Sequence, residues 1–387
     1  MRTRAVAAVA VVVTAAAACG SGQAEDYSEV RAALDDNVAF VSEDWPTDWS
    51  NATIGLDELI LGVSATEPRD AIPPIDEPRY ESVADAASWL DDREPGALVQ
   101  IEGDVRFYPL SIMTRHEIVN DEVGGIPVAV TYCPLCNTAL AFDRRVDGRV
   151  LRFGVSGLLR NSDLVMWDEA TVSLWQQITG EAVVGEFAGT VLEPLSTAIV
   201  GFGAFREEFP AGRSLSRDTG FALTYGVNPY EGYSARVAPR FPVAGERDGR
   251  FMALERVVGV SVGGRNRAYP FSLLSDLGVV NDVVGGVPVV VWWGSPDTAD
   301  ALDRERVAEG RAIGTALALD PTVEGEVLTF TPDEDSFVDA ETGSRWTLLG
   351  LAVEGPLTGT RLETVPHRNE FWFARTAFFQ DDEVFED

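Results

Sequence analysis

The sequence has no lysine: all 30 of its basic residues are arginine. That excludes a Walker-type phosphate loop, which needs its lysine on the phosphates, and a Schiff-base lysine nucleophile. Histidine is nearly absent, with only His116 and His367, and cysteine is limited to Cys19, Cys133 and Cys136. Any site made of soft ligands must therefore come from a very short set of side chains. Positive charge is scarce as well, since 62 Asp and Glu oppose those arginines and the formal net charge is −32. Such a chain is repelled by nucleic-acid phosphates and by anionic lipid head groups, so no nucleic-acid partner is expected. Long apolar runs are missing too. The run Ala5–Ala18 is shorter than the ~20 residues that cross a bilayer.

That short run has another meaning. Met1-Arg-Thr-Arg4 precedes it and Cys19-Gly-Ser-Gly follows, which is the layout of a signal peptide over residues 1–18. Ala16-Ala17-Ala18-Cys19 resembles a bacterial lipobox, with Ala16 where Leu is usual. The resemblance implies cleavage before Cys19 and lipidation of its thiol. The expectation is an exported lipoprotein, held at the cell membrane by its lipid and facing the extracytoplasmic side. Residues 19–65 would be the anchor and tether. An oxidising compartment would allow Cys133 and Cys136 to pair.

Four prolines within Glu67–Tyr80 rule out regular structure there and predict an extended lead-in. From Ala97 onward short apolar runs alternate with turn residues. They predict strands at Ala97–Glu102 and Val105–Tyr108, a helix over Leu110–Asn120, a reversal at Gly124-Gly125 and a strand from Ile126 to Cys133. The pattern then repeats. Residues 118–130 match 279–291 at nine of thirteen positions without a gap, and Tyr108-Pro109 returns as Tyr269-Pro270, both at an offset of 161. Trp175 pairs with Trp346 at 171, which fits extra loop in the second copy near Thr298–Arg311. The expected fold class is α+β, with two internally duplicated strand-rich units related by an approximate twofold axis. The lead-in and first unit span 66–210, a connector spans 211–254, and the second unit spans 255–387.

Residues shared by the two copies serve the fold. On that basis Trp175 and Trp346 are core, and Asn120 and Asn281 cap or turn. Residues found in one copy only are candidates for chemistry. At the 161 offset His116 faces Leu277, Cys133 faces Gly294 and Cys136 faces Asp297. The first unit thus keeps three soft ligands that the second lacks. Cys133 and Cys136 can grip one ion and His116 can add a nitrogen, a donor set suited to zinc or copper. Asp76, Asp163 and Met166 are candidates for a fourth donor. A metalloenzyme or a metal carrier would follow. One tension is geometric: from Gly124-Gly125 the strand carries Cys133 about 25 Å away, and the helix carries His116 only about 12 Å back.

Two alternatives stand beside the metal. Cys-Pro-Leu-Cys at an exported location also suits thiol–disulfide exchange. A non-catalytic binding module would instead use the pair as a structural disulfide, with Asn137, Ser156, Asn161, Ser162 and Asp163 lining a cleft between the units for an unidentified small molecule. His367 reads as a surface residue, and Asp168-Glu169 as a solvated turn.

Several motifs occur in a fixed order: Tyr132-Cys-Pro-Leu-Cys-Asn-Thr138, Phe153-Gly-Val-Ser-Gly-Leu158, Asn161-Ser-Asp-Leu-Val165 and Leu174-Trp175. With His116-Glu-Ile-Val-Asn-Asp121 and Phe371-Trp-Phe-Ala374 they cover about residues 70–380. Together they resemble a family of exported bacterial and archaeal proteins catalogued as a domain of unknown function. The resemblance supports these boundaries and the emphasis on His116, Cys133 and Cys136. It implies no activity.

Overall fold

A computed structural model describes residues 32–379 and 383–386. The signal peptide and Cys19 lie outside the described residues. Strand makes up 39% of the structure and helix 14%, so the class is α+β with sheets dominating. In the first unit β1 (Pro95–Ile101) and β2 (Asp104–Pro109) form an antiparallel pair, and α1 (Leu110–His116) starts directly after Pro109. The fixed φ of proline suits that helix start. Next come β3 (Ile118–Val123), β4 (Ile126–Cys133) and β5 (Thr138–Asp143), a meander. Gly124 and Gly125 turn β3 into β4 with φ of 56° and 80°. A Cβ on Gly124 would lie 2.4 Å from the Ile101 carbonyl oxygen, so only glycine fits there.

The chain then makes a sheet of β6 (Phe153–Arg160), β7 (Asp163–Asp168), β8 (Leu174–Gln176) and β9 (Ala182–Val184). It returns through β10 (Thr197–Gly201), which pairs with β1, into α2 (Phe202–Glu208).

The second unit follows the same order. It comprises β11 (Arg256–Val262), β12 (Arg265–Pro270), α3 (Phe271–Leu277), β13 (Val279–Val284), β14 (Val287–Gly294) and β15 (Thr315–Leu319). After these come β16 (Phe330–Asp333), β17 (Ser336–Asp339), β18 (Arg345–Trp346), β19 (Ala352–Glu354), β20 (His367–Phe371) and α4 (Trp372–Phe378). The registers agree at the 161 offset: Gly96 opposes Pro109 as Val257 opposes Pro270, and Ile118 opposes Thr131 as Val279 opposes Trp292.

Side chains recur as well. Asn120 clamps the backbone N–H and carbonyl of Phe153 at 2.9 and 2.7 Å, and Asn281 does so to Phe330 at 2.9 and 2.9 Å. Both asparagines sit within strands, so they join two sheets and do not cap or turn. Trp175 and Trp346 are fully buried, as expected of core residues. Each lies edge-on to a phenylalanine, Phe153 or Phe330, and donates its indole N–H to an aspartate, Asp168 or Asp339. Asp168 is therefore a buried structural acceptor, not part of a solvated turn.

The offsets locate two length differences. Cys133 opposes Thr138 across a four-residue turn, whereas Gly294 opposes Thr315 across residues 295–314. Against this, Phe153 to Asp168 is six residues longer than Phe330 to Asp339. The single extra loop expected from the sequence is thus a longer insertion partly offset by a longer hairpin in the first unit. The 295–314 loop crosses to the first unit, where the Arg93 guanidinium donates to the carbonyls of Asp297, Ala308 and Gly310.

Residues from Leu34 to Leu59 are not a tether. Leu34, Val38, Trp45, Trp49 and Leu59 are buried against Leu158, Val165 and Leu174, because two indoles there bury more apolar surface than a solvated linker could. The lead-in is extended as expected. It lies on β3, with Ile75 N–H bonded to the Ile118 carbonyl and Asn120 N–H to that of Ile75.

Candidate functional site

β4 ends by presenting Cys133, and the turn that follows places Cys136 beside it. Asn137, at a left-handed φ of 59°, redirects the chain into β5. Asp163 approaches from the other side as the first residue of β7. The residues before it, Asn161 and Ser162, have φ of 51° and 61° and close the long hairpin as a two-residue turn. Cys136 Sγ donates to Asp163 Oδ1 at 2.8 Å and lies 3.0 Å from Thr138 Oγ1. The donor atoms of Cys133, Cys136 and Asp163 all lie within 4.8 Å of one another. Cys133 is 1% exposed and the other two are 0% exposed, so the cluster is dry. Both cysteines are free thiols.

A collar of polar groups holds this cluster. Gln176 Nε2 and the Ile178 N–H donate to Asp163 Oδ2 at 2.6 and 3.1 Å. Gln177 bridges Thr138 and Thr131. The Cys136 carbonyl accepts from the Phe371 N–H at 2.9 Å, so the second unit seals the turn from outside. Gln176 Oε1 is buried with no hydrogen-bond partner among the described residues.

Burial is the first cause of every titration shift here. It pushes both thiols upward, and the charge of Asp163 adds to the rise. It also raises the carboxyl of Asp163, against hydrogen bonds from Cys136, Gln176 and Ile178 that pull it down. The three groups hold their protons more tightly than they would in water.

His116 does not join them. Its Nδ1 lies 2.6 Å from the Pro73 carbonyl and its Nε2 lies 2.7 Å from the Tyr225 hydroxyl, so both ring nitrogens are engaged elsewhere. The reason is that the helix stops at His116. Glu117 is left-handed (φ 61°), its N–H caps back to Met113, and Ile118-Val119 start β3. The expected helix to Asn120 is four residues too long, because β-branched residues after a left-handed cap favour a strand.

Of the other candidate donors, Asp76 bonds Arg152 and Asn120, and Met166 pairs across the sheet with Trp175. Asp163 alone reaches the cysteines. Asn137, Ser156, Asn161 and Ser162 are all buried. Asn137 lines a small pocket where the two units meet, with Pro95 and Leu110 on one side and Arg256 and Phe271 on the other. Ser156 bonds within its own hairpin, and Asn161 accepts from the Ala244 N–H. His367 is buried, with Nδ1 on the Val365 carbonyl, and burial lowers it to about 4. It is not a surface residue.

Two groups of residues near the site were not anticipated. Glu117 is 6% exposed and its carboxyl is pushed up to about 7, mainly by burial and also by the charge of Asp163, against a hydrogen bond from Tyr230. Its counterpart at the 161 offset is Gly278, left-handed at φ 73°. A glutamate where the matching segment has the residue that fits was the available signal. The second group comes from the supposed connector. Tyr225 meets His116, Tyr230 donates to Glu117 at 3.0 Å, and Tyr233 donates to the Leu135 carbonyl at 2.8 Å. Three of the chain's eight tyrosines fall within nine residues, which marked the segment.

No curated protein and no solved structure matches the sequence. The match to a protein family runs over residues 69–382, from the lead-in through α4, and takes in the cysteines, Glu117, Asp163 and the covering tyrosines. With four-fifths of its length in that match, the chain belongs to the family described as protein of unknown function DUF3179.

Proposed function

We propose that Cys133, Cys136 and Asp163 hold one soft metal ion, with zinc preferred over copper, in an exported lipoprotein. The observation that carries this reading is the dry convergence of two thiols and a carboxylate within 4.8 Å. Tetrahedral zinc accepts sulfur and carboxylate donors, with Zn–S near 2.3 Å and Zn–O near 2.0 Å. A carboxylate in place of the expected imidazole moves the preference away from Cu(I), which favours sulfur and nitrogen. A cation would displace the protons of the two thiols as it binds. With donors at most 1% exposed, the ion is kept from substrates, which suits retention or carriage over open Lewis-acid catalysis. Thiol–disulfide exchange is the weaker reading, because it needs a thiolate and both thiols are raised.

The two units are best read as an internal duplication about an approximate twofold axis, with the metal kept in one copy. The recurring Asn–Phe and Trp–Asp contacts support it. The lipid would come through Cys19, placing the protein on the extracytoplasmic face of the membrane. Cys19→Ser should move the protein from the membrane to the soluble fraction; a variant that stays with membranes through a carbonate wash would remove the lipoprotein reading. Elemental analysis of purified, tag-free protein tests the metal. One zinc per chain is expected, lost in Cys133→Ser and Cys136→Ser, weakened in Asp163→Asn and retained in His116→Ala. Equal metal in the wild type and both cysteine variants would sink the proposal.

A further inference from the structure

The register that puts Gly294 at the position of Cys133 and Gly278 at that of Glu117 also identifies what occupies the second unit where the first has its buried cluster. It is an open cleft of about 900 Å³, with both glycines on its wall. The long hairpin that delivers Asp163 is six residues shorter here, and the side chains of Cys133 and Glu117 are missing. Space that the first unit fills is left accessible.

The lining of the cleft has a definite chemistry. Trp293 and Phe337 supply aromatic surface. The indole of Trp293 is fixed, since its N–H donates to the Ile313 carbonyl at 3.2 Å and Gly314 lies so close that a Cβ would sit 2.2 Å from the ring. Glu207, Asp276, Glu334 and Asp335 stand on the rim, all exposed. Among the described residues none of these four has a hydrogen-bond or ion-pair partner, and no arginine lines the cleft. Glu208 alone among the lining carboxylates is engaged, by Thr347 and Arg361.

We propose that this cleft binds a small organic cation with an apolar body, of the amine or quaternary ammonium class. A cation over a fixed indole is attracted by the ring's negative face, and carboxylates around the mouth add to that attraction. An anion would meet four carboxylates that no arginine offsets, and a neutral apolar ligand would draw nothing from them. The volume lies at the upper end for small-molecule sites, so the ligand has a sizeable body. The proposal is independent of the metal reading, because the cleft contains none of the proposed metal donors.

The probe is benzyltrimethylammonium, titrated into the full mature chain at low and physiological salt and followed by tryptophan fluorescence and calorimetry. Saturable one-to-one binding is expected, with benzyl alcohol and benzenesulfonate at least about tenfold weaker. Glu334→Gln with Asp335→Asn, on an exposed turn that leaves the core intact, should weaken binding at least about fivefold. Trp293→Leu should abolish the fluorescence response. Glu324→Gln with Glu326→Gln removes equal charge outside the cleft and should change nothing. The proposal is overturned if the cation binds no better than benzyl alcohol, or if the outside pair weakens binding as much as the cleft pair. Metal content measured on the same samples should be unchanged throughout, so failure here and failure of the metal reading are told apart.

Discussion

The same ladder ends in two different ways. In the first unit β4 runs into a four-residue turn with two thiols, and a long hairpin folds Asp163 onto them. In the second, β14 ends in glycine, a long loop leaves to grip the first unit, and the hairpin is short. The parts that match are the clamps and the core: Asn120 with Asn281, Trp175 with Trp346, and the helix–strand registers. The parts that differ sit at the ends of matched strands. A scaffold can change its chemistry at strand ends without disturbing its core, because side chains there close no ladder hydrogen bond.

The Glu117–Gly278 pair offers the larger test of this comparison. Gly278 carries no charge, so only the first unit has a buried carboxyl at this turn. The groups bearing on it are Tyr230, which donates to it, and Asp163, whose charge raises it. Its folded-state value of about 7 lies above the unfolded value of 4.5. Burial is therefore tolerated fully below about pH 4.5, and stability is lost as pH rises through about 7. Over that window the loss is about 3 kcal/mol. In metal-free protein under chelator, Glu117→Gln should remove this slope, so the two unfolding free energies draw apart by about that amount between pH 4.5 and 7 and run parallel above it. Urea melts at closely spaced pH values measure it. Curves parallel throughout would mean Glu117 titrates as an ordinary surface carboxyl, and the two turns would differ in shape only.

Much of the scaffold was legible because its signals are local. Gly124-Gly125, the prolines before α1 and α3 and the Val-rich strands give their elements directly, and the 161 offset follows from counting. What escaped was set by distant parts of the chain. His116 was chosen for its residue type, but the left-handed turn at Glu117 ends its helix early and directs its ring toward Pro73 and Tyr225. Asp163 reaches Cys136 only because β6 and β7 pair around a bulge between Val155 and Leu159 and close at Asn161-Ser162. The tyrosines that cover the site lie about a hundred residues further along, and nothing in their local pattern says where they dock. The Glu117–Gly278 difference was visible in the aligned segments and carried more information than the His116–Leu277 difference beside it.

The smaller test concerns the clamps, which should be equal in geometry but not in worth. Asn120 is 4% exposed and also donates to Asp76 at 2.8 Å, whereas Asn281 lies at the surface with the same two bonds to backbone. Removing a buried partner strands the Phe153 N–H and carbonyl away from water, while those of Phe330 regain water more easily. Asn120→Ala should therefore cost about 2 kcal/mol and Asn281→Ala about 1 kcal/mol, read from urea midpoints at constant m. Equal costs would mean that burial does not set the value of the clamp. A larger cost at Asn281 would mean that the second unit depends on this bond more than the first, and that it is the weaker-packed copy in which the clamp carries a greater share of the sheet-to-sheet connection.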